Sequence, residues 1–196
     1  MSEEKSSPVG IIVVVAVMVG VMIGCSGMKN NPIAEAEPNE KKLKPDLRIN
    51  MASTGNKRIL SYLSERLKKP SAELTDGDYA AVKSISIHHS GNLDDISLIS
   101  KCVNLQQLDL MNGGVLEDIK PLANLTKLES VGLWGNKVSD LSPLSKLINI
   151  KYLNLTYCPV TDITPLAGLK NLKRVEGLKK EVADELRKVL PNCEVK

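Results

Sequence analysis

The sequence predicts an α/β solenoid, in which a short strand and a return segment are repeated and stacked. Three observations predict it. The segment Leu105–Val175 repeats itself every 22 or 23 residues, and the apolar positions of its copies fall into register. The chain also has no Phe and one Trp, so its core must be aliphatic, as thin stacked layers require. One such unit cannot bury its own apolar side, whereas stacked copies can.

The repeated pattern occurs three times in succession. Each copy begins with aliphatic residues spaced as L-x-x-L-x-L, has a small or polar residue at its ninth position, and continues with an Asp-aliphatic pair and Pro-Leu. This spacing is the leucine-rich repeat signature. A degenerate copy with Val82, Ile85 and Ile87 precedes them, so the repeats are predicted over residues 82–176. The three copies read LQQLDLMNGGVLEDIKPLANLTK, LESVGLWGNKVSDLSPLSKLIN and IKYLNLTYCPVTDITPLAGLKN.

Helical caps are predicted at both ends, because a repeat stack exposes its first and last layers. In the amino-terminal cap, residues 55–81, Ile59 and Leu63 fall four apart and Pro70 ends the run, as in an amphipathic helix. In the carboxy-terminal cap, residues 177–196, apolar residues from Leu178 to Leu190 share one helical face. The caps and repeats together form one predicted solenoid.

Residues 1–25 predict attachment to a membrane. Val9–Gly24 is an unbroken apolar run followed by Cys25, which looks like a bacterial lipoprotein signal and implies that Cys25 carries the lipid. The preceding flank lacks the usual excess of positive charge, so an uncleaved single-pass helix is the alternative. Residues 26–54 are polar and proline-containing, which predicts a flexible linker. We therefore expect a membrane-anchored protein of the bacterial cell envelope.

The stretch Leu74–Val195 resembles the internalin-type class of bacterial leucine-rich repeat domains. The resemblance lies in Ser139–Leu144 and Thr161–Leu166, together with the residues before them. It implies a right-handed solenoid with a short parallel sheet on the concave side and 3₁₀ turns on the convex side. It also implies that the protein works by binding proteins. That class prefers Asn at the ninth position, which here holds Ser90, Gly113, Asn136 and Cys158; a weak ladder of hydrogen bonds is therefore expected.

Several chemical functions are disfavoured by the residues themselves. The repeated aspartates supply one carboxylate per layer, too few for calcium, so we expect them to hydrogen-bond their own turns. No Cys or His pair has the spacing of metal ligands, and no nucleophile or phosphate-binding loop accompanies His88 and His89. The net charge of +3 is too small for a dedicated nucleic-acid binder. We expect no enzyme activity, no cofactor and no metal. The aspartates are Asp95, Asp118, Asp140 and Asp162.

The predicted binding site is the concave face, because alternate side chains of a strand point to opposite sides. Trp134, the one Trp, is expected to face solvent there among other large side chains, as in binding hot spots. Five strands give a patch on the order of 400 Å², half of what one partner contributes to a standard interface. The predicted binding residues are His88, Met111, Trp134, Tyr152, Asn154 and Tyr157.

The predicted function is therefore a membrane-tethered module for protein–protein interaction, with a glycan as an alternative ligand. A structural or assembly subunit of a membrane-associated complex is the second hypothesis. Adhesion to a host follows only from the internalin resemblance.

Overall fold

A computed structural model describes residues 49–88 and 92–196. It contains one six-stranded parallel sheet in which the strands follow each other in chain order. Register is constant along the stack, so Leu108 pairs with Val131, Val131 with Leu153, and Leu153 with Val175. This is the predicted leucine-rich repeat solenoid. The strands are β1 (Ser84–His88), β2 (Gln107–Met111), β3 (Ser130–Gly132), β4 (Tyr152–Asn154), β5 (Arg174–Glu176) and β6 (Glu194–Val195).

The sixth strand differs from the expected five-stranded sheet. Glu194 and Val195 pair with Arg174 and Val175, and Lys196 N donates to Val175 O at 3.0 Å. The closing segment therefore adds a strand to the carboxy-terminal helical cap. Its apolar residue Val195 continues the column of inward side chains, which explains why so short a segment can join the sheet.

The return segments contain the predicted 3₁₀ turns. In the last three returns Pro occupies one of the first two turn positions, where its missing N–H is not needed and its φ already suits the turn. The apolar columns of the strands and the returns meet in one aliphatic core, in which Leu110, Leu133 and Leu155 are completely buried. The turns span Ser97–Lys101, Lys120–Leu122, Ser142–Leu144 and Thr164–Leu166.

Helix α1 (Thr54–Leu67) covers the first layer of the stack. Asn56 is completely buried and joins the helix to the first return: its Nδ2 donates to Ser97 Oγ (2.9 Å) and its Oδ1 accepts from Leu98 N (2.9 Å). A Cβ on Gly55 would collide with the backbone of Asp95. The start of α1 is therefore fitted closely to the solenoid.

Two further helices complete the caps. Helix α2 (Asp76–Ala81) leads into β1 and begins with a capping box, in which Thr75 and Asp78 satisfy each other's backbone N–H groups. Helix α3 (Lys180–Val189) covers the last layer with Val182, Ala183 and Leu186.

Side chains from the caps also cover both edges of the sheet. Tyr62 Oη accepts from Ser86 N on the outer side of β1 (3.2 Å), and Arg187 donates to Val195 O in β6 (2.8 Å). Unpaired edge strands invite association with other chains, so these contacts reduce that exposure.

The predicted anchor, Cys25 and most of the predicted linker lie outside the described residues. Among the described helices, none is long and apolar enough to cross a membrane.

Candidate functional site

The concave face of the sheet forms a groove of about 410 Å³. Its floor is the backbone of the strands, whose aliphatic side chains point away into the core, and its walls are the polar alternate residues of β1 to β5, as strand alternation predicts. Three of the predicted site residues, Met111, Tyr152 and Asn154, line it. Tyr152 is 47% exposed and is the largest side chain of the groove. The groove is therefore mainly a polar surface with one prominent aromatic ring.

A hydrogen-bonded cluster lies at the β1–β2 end of the concave face. His88 Nε2 lies 3.0 Å from Ser86 Oγ and 3.1 Å from Asp109 Oδ2. In a catalytic triad the hydroxyl and the carboxylate bind opposite nitrogens of the imidazole; here both lie at Nε2, so these three side chains do not have the triad arrangement. Asp109 Oδ1 is buried without a hydrogen-bond partner among the described residues and occupies the space above Gly132, where a Cβ would lie 2.5 Å from it.

The opposite end of the groove carries paired charges. Arg174 Nε donates to Glu194 Oε2 at 2.8 Å, and its guanidinium lies 3.8 Å from Glu176. Asn154 Nδ2 donates to Glu176 Oε2 (3.2 Å). Hydrogen bonds from Lys196 and Arg174 lower the pKa of the Glu194 carboxyl. These contacts fix Asn154 and leave no free charge on Arg174 to attract an anion.

Trp134 and Tyr157 lie together beyond the carboxyl ends of β3 and β4; we call this pair the aromatic rim. Their ring centroids are 5.8 Å apart with planes at 61°, an edge-to-face contact. Trp134 is half-buried, whereas Tyr157 is 77% exposed, more than any other large apolar or aromatic side chain in the described part of the chain. The rim therefore presents an aromatic surface beside the polar groove.

The backbone of Tyr157 is in the left-handed region, with φ at 61°. The equivalent residues of the two preceding repeats are Asn112 (φ 58°) and Gly135 (φ 71°), which tolerate this conformation well. A bulky side chain there is uncommon and costs roughly 1–2 kcal/mol. The third repeat thus has an exposed Tyr at a cost in stability, whereas the two preceding repeats have residues that suit the turn.

A shallow depression of about 680 Å³ adjoins the rim on its α3 side. Tyr157 and Leu178 contribute apolar surface to it, and Lys179 and Lys196 contribute positive charge. Gly177 at its base has φ 86°, and a Cβ there would collide with the Thr156 backbone. The depression extends the surface that a ligand at the rim could contact.

The six predicted site residues thus lie in three places. Met111, Tyr152 and Asn154 line the groove, His88 lies on β1 beside it, and Trp134 and Tyr157 form the rim. Strand alternation cannot place the rim residues, since β3 and β4 end before them and the left-handed turn redirects Tyr157. In the sequence, this turn is indicated by Asn112 and Gly135, which stand at the position equivalent to Tyr157 and favour the left-handed conformation.

In the ninth-position ladder, Asn136 and Cys158 are the donors among the described residues. Asn136 Nδ2 donates to Leu110 O (2.7 Å) and to Leu133 O (2.9 Å). In the next repeat Cys158 Sγ donates to Leu133 O (3.1 Å), so a thiol takes the place of the amide. Burial raises the pKa of this thiol, which keeps it protonated as a donor. Gly113 is required in the preceding layer because a Cβ would lie 2.5 Å from Asn136 Oδ1.

A second ladder escaped the sequence reasoning. Its asparagines stand just before Leu105, Ile150 and Leu172, whereas Lys127 holds this position before Leu128. Each asparagine donates to a carbonyl of the layer before: Asn104 to Ala80, Asn149 to Thr126 and Asn171 to Ile148, at 2.8 to 2.9 Å. The recurrence of Asn at this position in the sequence could have predicted this ladder.

The repeated aspartates act in turns, as predicted. In each copy Oδ1 accepts from the backbone N–H two residues later, at 2.7 to 2.8 Å. Hydrogen bonds from Ser142 lower the pKa of Asp140, and those from Thr164 lower the pKa of Asp162. Among the described residues, no group of three metal-ligating side chains is assembled. Cys102, Cys158 and Cys193 are free and buried, and burial raises the pKa of Cys102 to about 12.

The repeats, parallel sheet and 3₁₀ turns define a leucine-rich repeat solenoid. Among solved structures, the chain is similar to a leucine-rich repeat protein of Leptospira interrogans, with a TM-score of 0.56 and 25% identity over 63% of this chain and 34% of that one. This likeness supports the fold. The chain spans about a third of the length of the Leptospira protein.

Two Listeria monocytogenes proteins are also similar. An internalin C2 (inlC2) has a TM-score of 0.47 and 19% identity, over 74% of this chain and 82% of that one. An internalin (inlF) has a TM-score of 0.37 and 20% identity, over 74% and 55% respectively. No protein-family model matches the chain, and neither does any curated protein.

Proposed function

We propose that this protein is a membrane-tethered interaction module of the bacterial cell envelope, which binds a protein partner through the aromatic rim and the adjoining concave groove. The proposal rests on the exposure and the backbone conformation of Tyr157. Its ring is exposed, it contacts Trp134, and its backbone adopts a conformation unfavourable for a bulky residue. Strained residues cluster at functional sites, because selection for function offsets their cost in stability.

Size favours the same combined surface. Six strands spaced about 4.8 Å apart span roughly 24 Å, so the groove alone provides less area than one partner gives to a standard interface. The rim and the depression beside it extend the contact beyond the sheet. Trp and Tyr are also among the residues that contribute most to protein binding.

The membrane tether is proposed from the apolar run Val9–Gly24 and from Cys25, in the position of a lipidated cysteine. We expect the protein to sediment with membranes and Cys25→Ser to abolish incorporation of a labelled fatty acid. A full-length protein found only in the soluble fraction would contradict the tether. Acyl labelling that persists in Cys25→Ser would exclude lipidation at this cysteine.

Site-specific photocrosslinking in the native cell tests the binding surface. A photoreactive amino acid is placed at position 157 or 152, and at position 120 on the convex side as a control. We expect positions 157 and 152 to crosslink the same protein and position 120 to miss it, with Trp134→Ala reducing the yield at 152. Crosslinking to a glycan would identify the alternative ligand. One stoichiometric partner captured equally from all three positions would instead favour an assembly subunit.

A further inference from the structure

A second surface lies at the opposite ends of the strands from the aromatic rim. We call it the amino edge: Lys83 and the segments 102–106, 123–129, 145–151 and 167–173, each of which leads into a strand. The segments lie side by side because the strands are parallel. Lys173 N donates to Lys151 O (2.8 Å), and the Asn171 side chain donates to Ile148 O (2.9 Å).

The charges of the amino edge have one predominant sign. Its one acidic residue, Glu129, pairs with Lys151 at 2.6 Å. The other lysines form no ion pair with any residue that the structure describes. The repeated aspartates lie instead in the return segments, so positive charge is concentrated on this edge although the net charge of the chain is only +3. The lysines are Lys83, Lys127, Lys146, Lys151, Lys170 and Lys173.

Exposed aliphatic side chains stand among these lysines. Ile148 is 57% exposed and Val103 is 52% exposed, and both occupy the same position of their repeats. A single exposed aliphatic residue needs no explanation. Two of them in one column, beside unpaired lysines, form a surface that is both basic and apolar.

We propose that the amino edge binds anionic lipid headgroups and so lays the solenoid on the membrane with the aromatic rim directed away from it. Clustered lysines act on anionic lipids as a diffuse positive field, and neighbouring aliphatic groups enter the interfacial region. Nucleic-acid surfaces use Arg and aromatic stacking, and protein interfaces are depleted in Lys. The amino edge contains neither Arg nor an aromatic residue. This inference rests on the proposed membrane location.

The test uses the full chain with an environment-sensitive fluorescent amino acid at position 148, or at position 157 on the opposite edge. Vesicles of phosphatidylcholine alone are compared with vesicles that also contain phosphatidylglycerol. We expect a blue shift at position 148 only with phosphatidylglycerol, its loss at high salt, and no shift at position 157. Each lysine near an anionic surface strengthens membrane binding roughly fivefold. We therefore expect the double variant Lys146→Gln with Lys170→Gln to lower the ratio of membrane-bound to unbound amino edge about 25-fold.

The matched control is Lys137→Gln with Lys180→Gln, which changes the net charge equally away from the amino edge and is expected to leave the shift intact. The proposal is overturned by an unshifted probe at position 148, by equal shifts at 148 and 157, or by equal losses in both double variants. Failure of the tether is distinguishable: the protein then does not sediment with pure phosphatidylcholine vesicles, whatever the probe at position 148 reports on anionic ones.

Discussion

Two repeats satisfy equivalent buried carbonyl groups with different hydrogen-bond donors. Leu110 O and Leu133 O occupy equivalent buried positions, and the first accepts from the Asn136 amide while both Asn136 and the Cys158 thiol serve the second. Satisfying a buried carbonyl matters more than which donor does so, since an unsatisfied one costs roughly 1–3 kcal/mol. The ninth position therefore supplies a hydrogen-bond donor in both repeats, although the residue type differs.

The Asn136 amide should contribute most to this ladder. We expect Asn136→Ala to lower the free energy of unfolding by about 2 kcal/mol, because two buried carbonyls lose a donor. Cys158→Ala should cost about 1 kcal/mol, since Leu133 O retains Asn136. Urea denaturation measures both. Equal effects of the two substitutions would contradict the different roles assigned to these residues.

We expect the left-handed backbone conformation of Tyr157 to lower the free energy of unfolding. Tyr157→Asn relieves a cost of roughly 1–2 kcal/mol and loses an edge contact worth about 0.5–1.5 kcal/mol. We therefore expect the free energy of unfolding to change by between about −0.5 and +1.5 kcal/mol, so that stability is kept or gained. The matched variant Tyr157→Val keeps a bulky side chain in the left-handed turn and should be less stable than Tyr157→Asn. The reverse order in thermal unfolding would argue against backbone strain.

At the scale of elements, aliphatic periodicity was enough to predict the strands and both cap helices, because it determines which side of each element is buried. The 3₁₀ turns were implied by the resemblance to internalin-type domains. Periodicity could not predict where strands end. β1 and β2 have five residues and β3 to β5 have three, although the repeats of β2, β3 and β4 all have a left-handed residue at the same position, Asn112, Gly135 and Tyr157. The rim was consequently predicted as part of the concave face. The strand β6 escaped prediction because two residues carry no periodicity.

The amino-terminal cap should depend on close contact at the start of α1. We expect Gly55→Ala to lower the free energy of unfolding by about 2–3 kcal/mol, since the new Cβ would collide with the Asp95 backbone. Gly77→Ala in α2 is the matched control: its Cβ would meet only Thr75 Oγ1, at 3.6 Å, so helix propensity should leave stability unchanged or raise it by up to about 1 kcal/mol. Similar losses in both variants would show that the cap is not docked as described.

The whole molecule separates its surfaces by chemistry: polar groove, aromatic rim, basic amino edge and acidic returns. Several of its carboxylates also link folding to pH. Hydrogen bonds from Lys69 and Thr75 lower the pKa of Asp78 to about 2, and the pKa values of Asp140, Asp162 and Glu194 are lowered too. A carboxyl whose pKa is lower in the folded state stabilises that state above its unfolded pKa and loses this contribution as pH falls through the folded value.

Stability should therefore be constant with respect to these groups above about pH 5 and should decline between about pH 4 and pH 2. Asp78→Asn should make the decline shallower, because the substituted residue no longer binds a proton in this range. The urea midpoint measured across this pH range checks both expectations. A midpoint that does not change between pH 5 and pH 2 would contradict the role given to these carboxylates.

The central claim is that Tyr157 is retained for binding at the expense of stability, and the amount of protein partner crosslinked at position 152 in native membranes tests it most directly. Tyr157→Asn is compared with the unsubstituted chain at equal abundance, since the folded population should not fall. We predict that the substitution reduces the partner crosslinked at position 152 at least tenfold, as expected for a hot-spot residue worth about 2 kcal/mol. An unchanged yield would contradict the assignment of the rim as the binding surface.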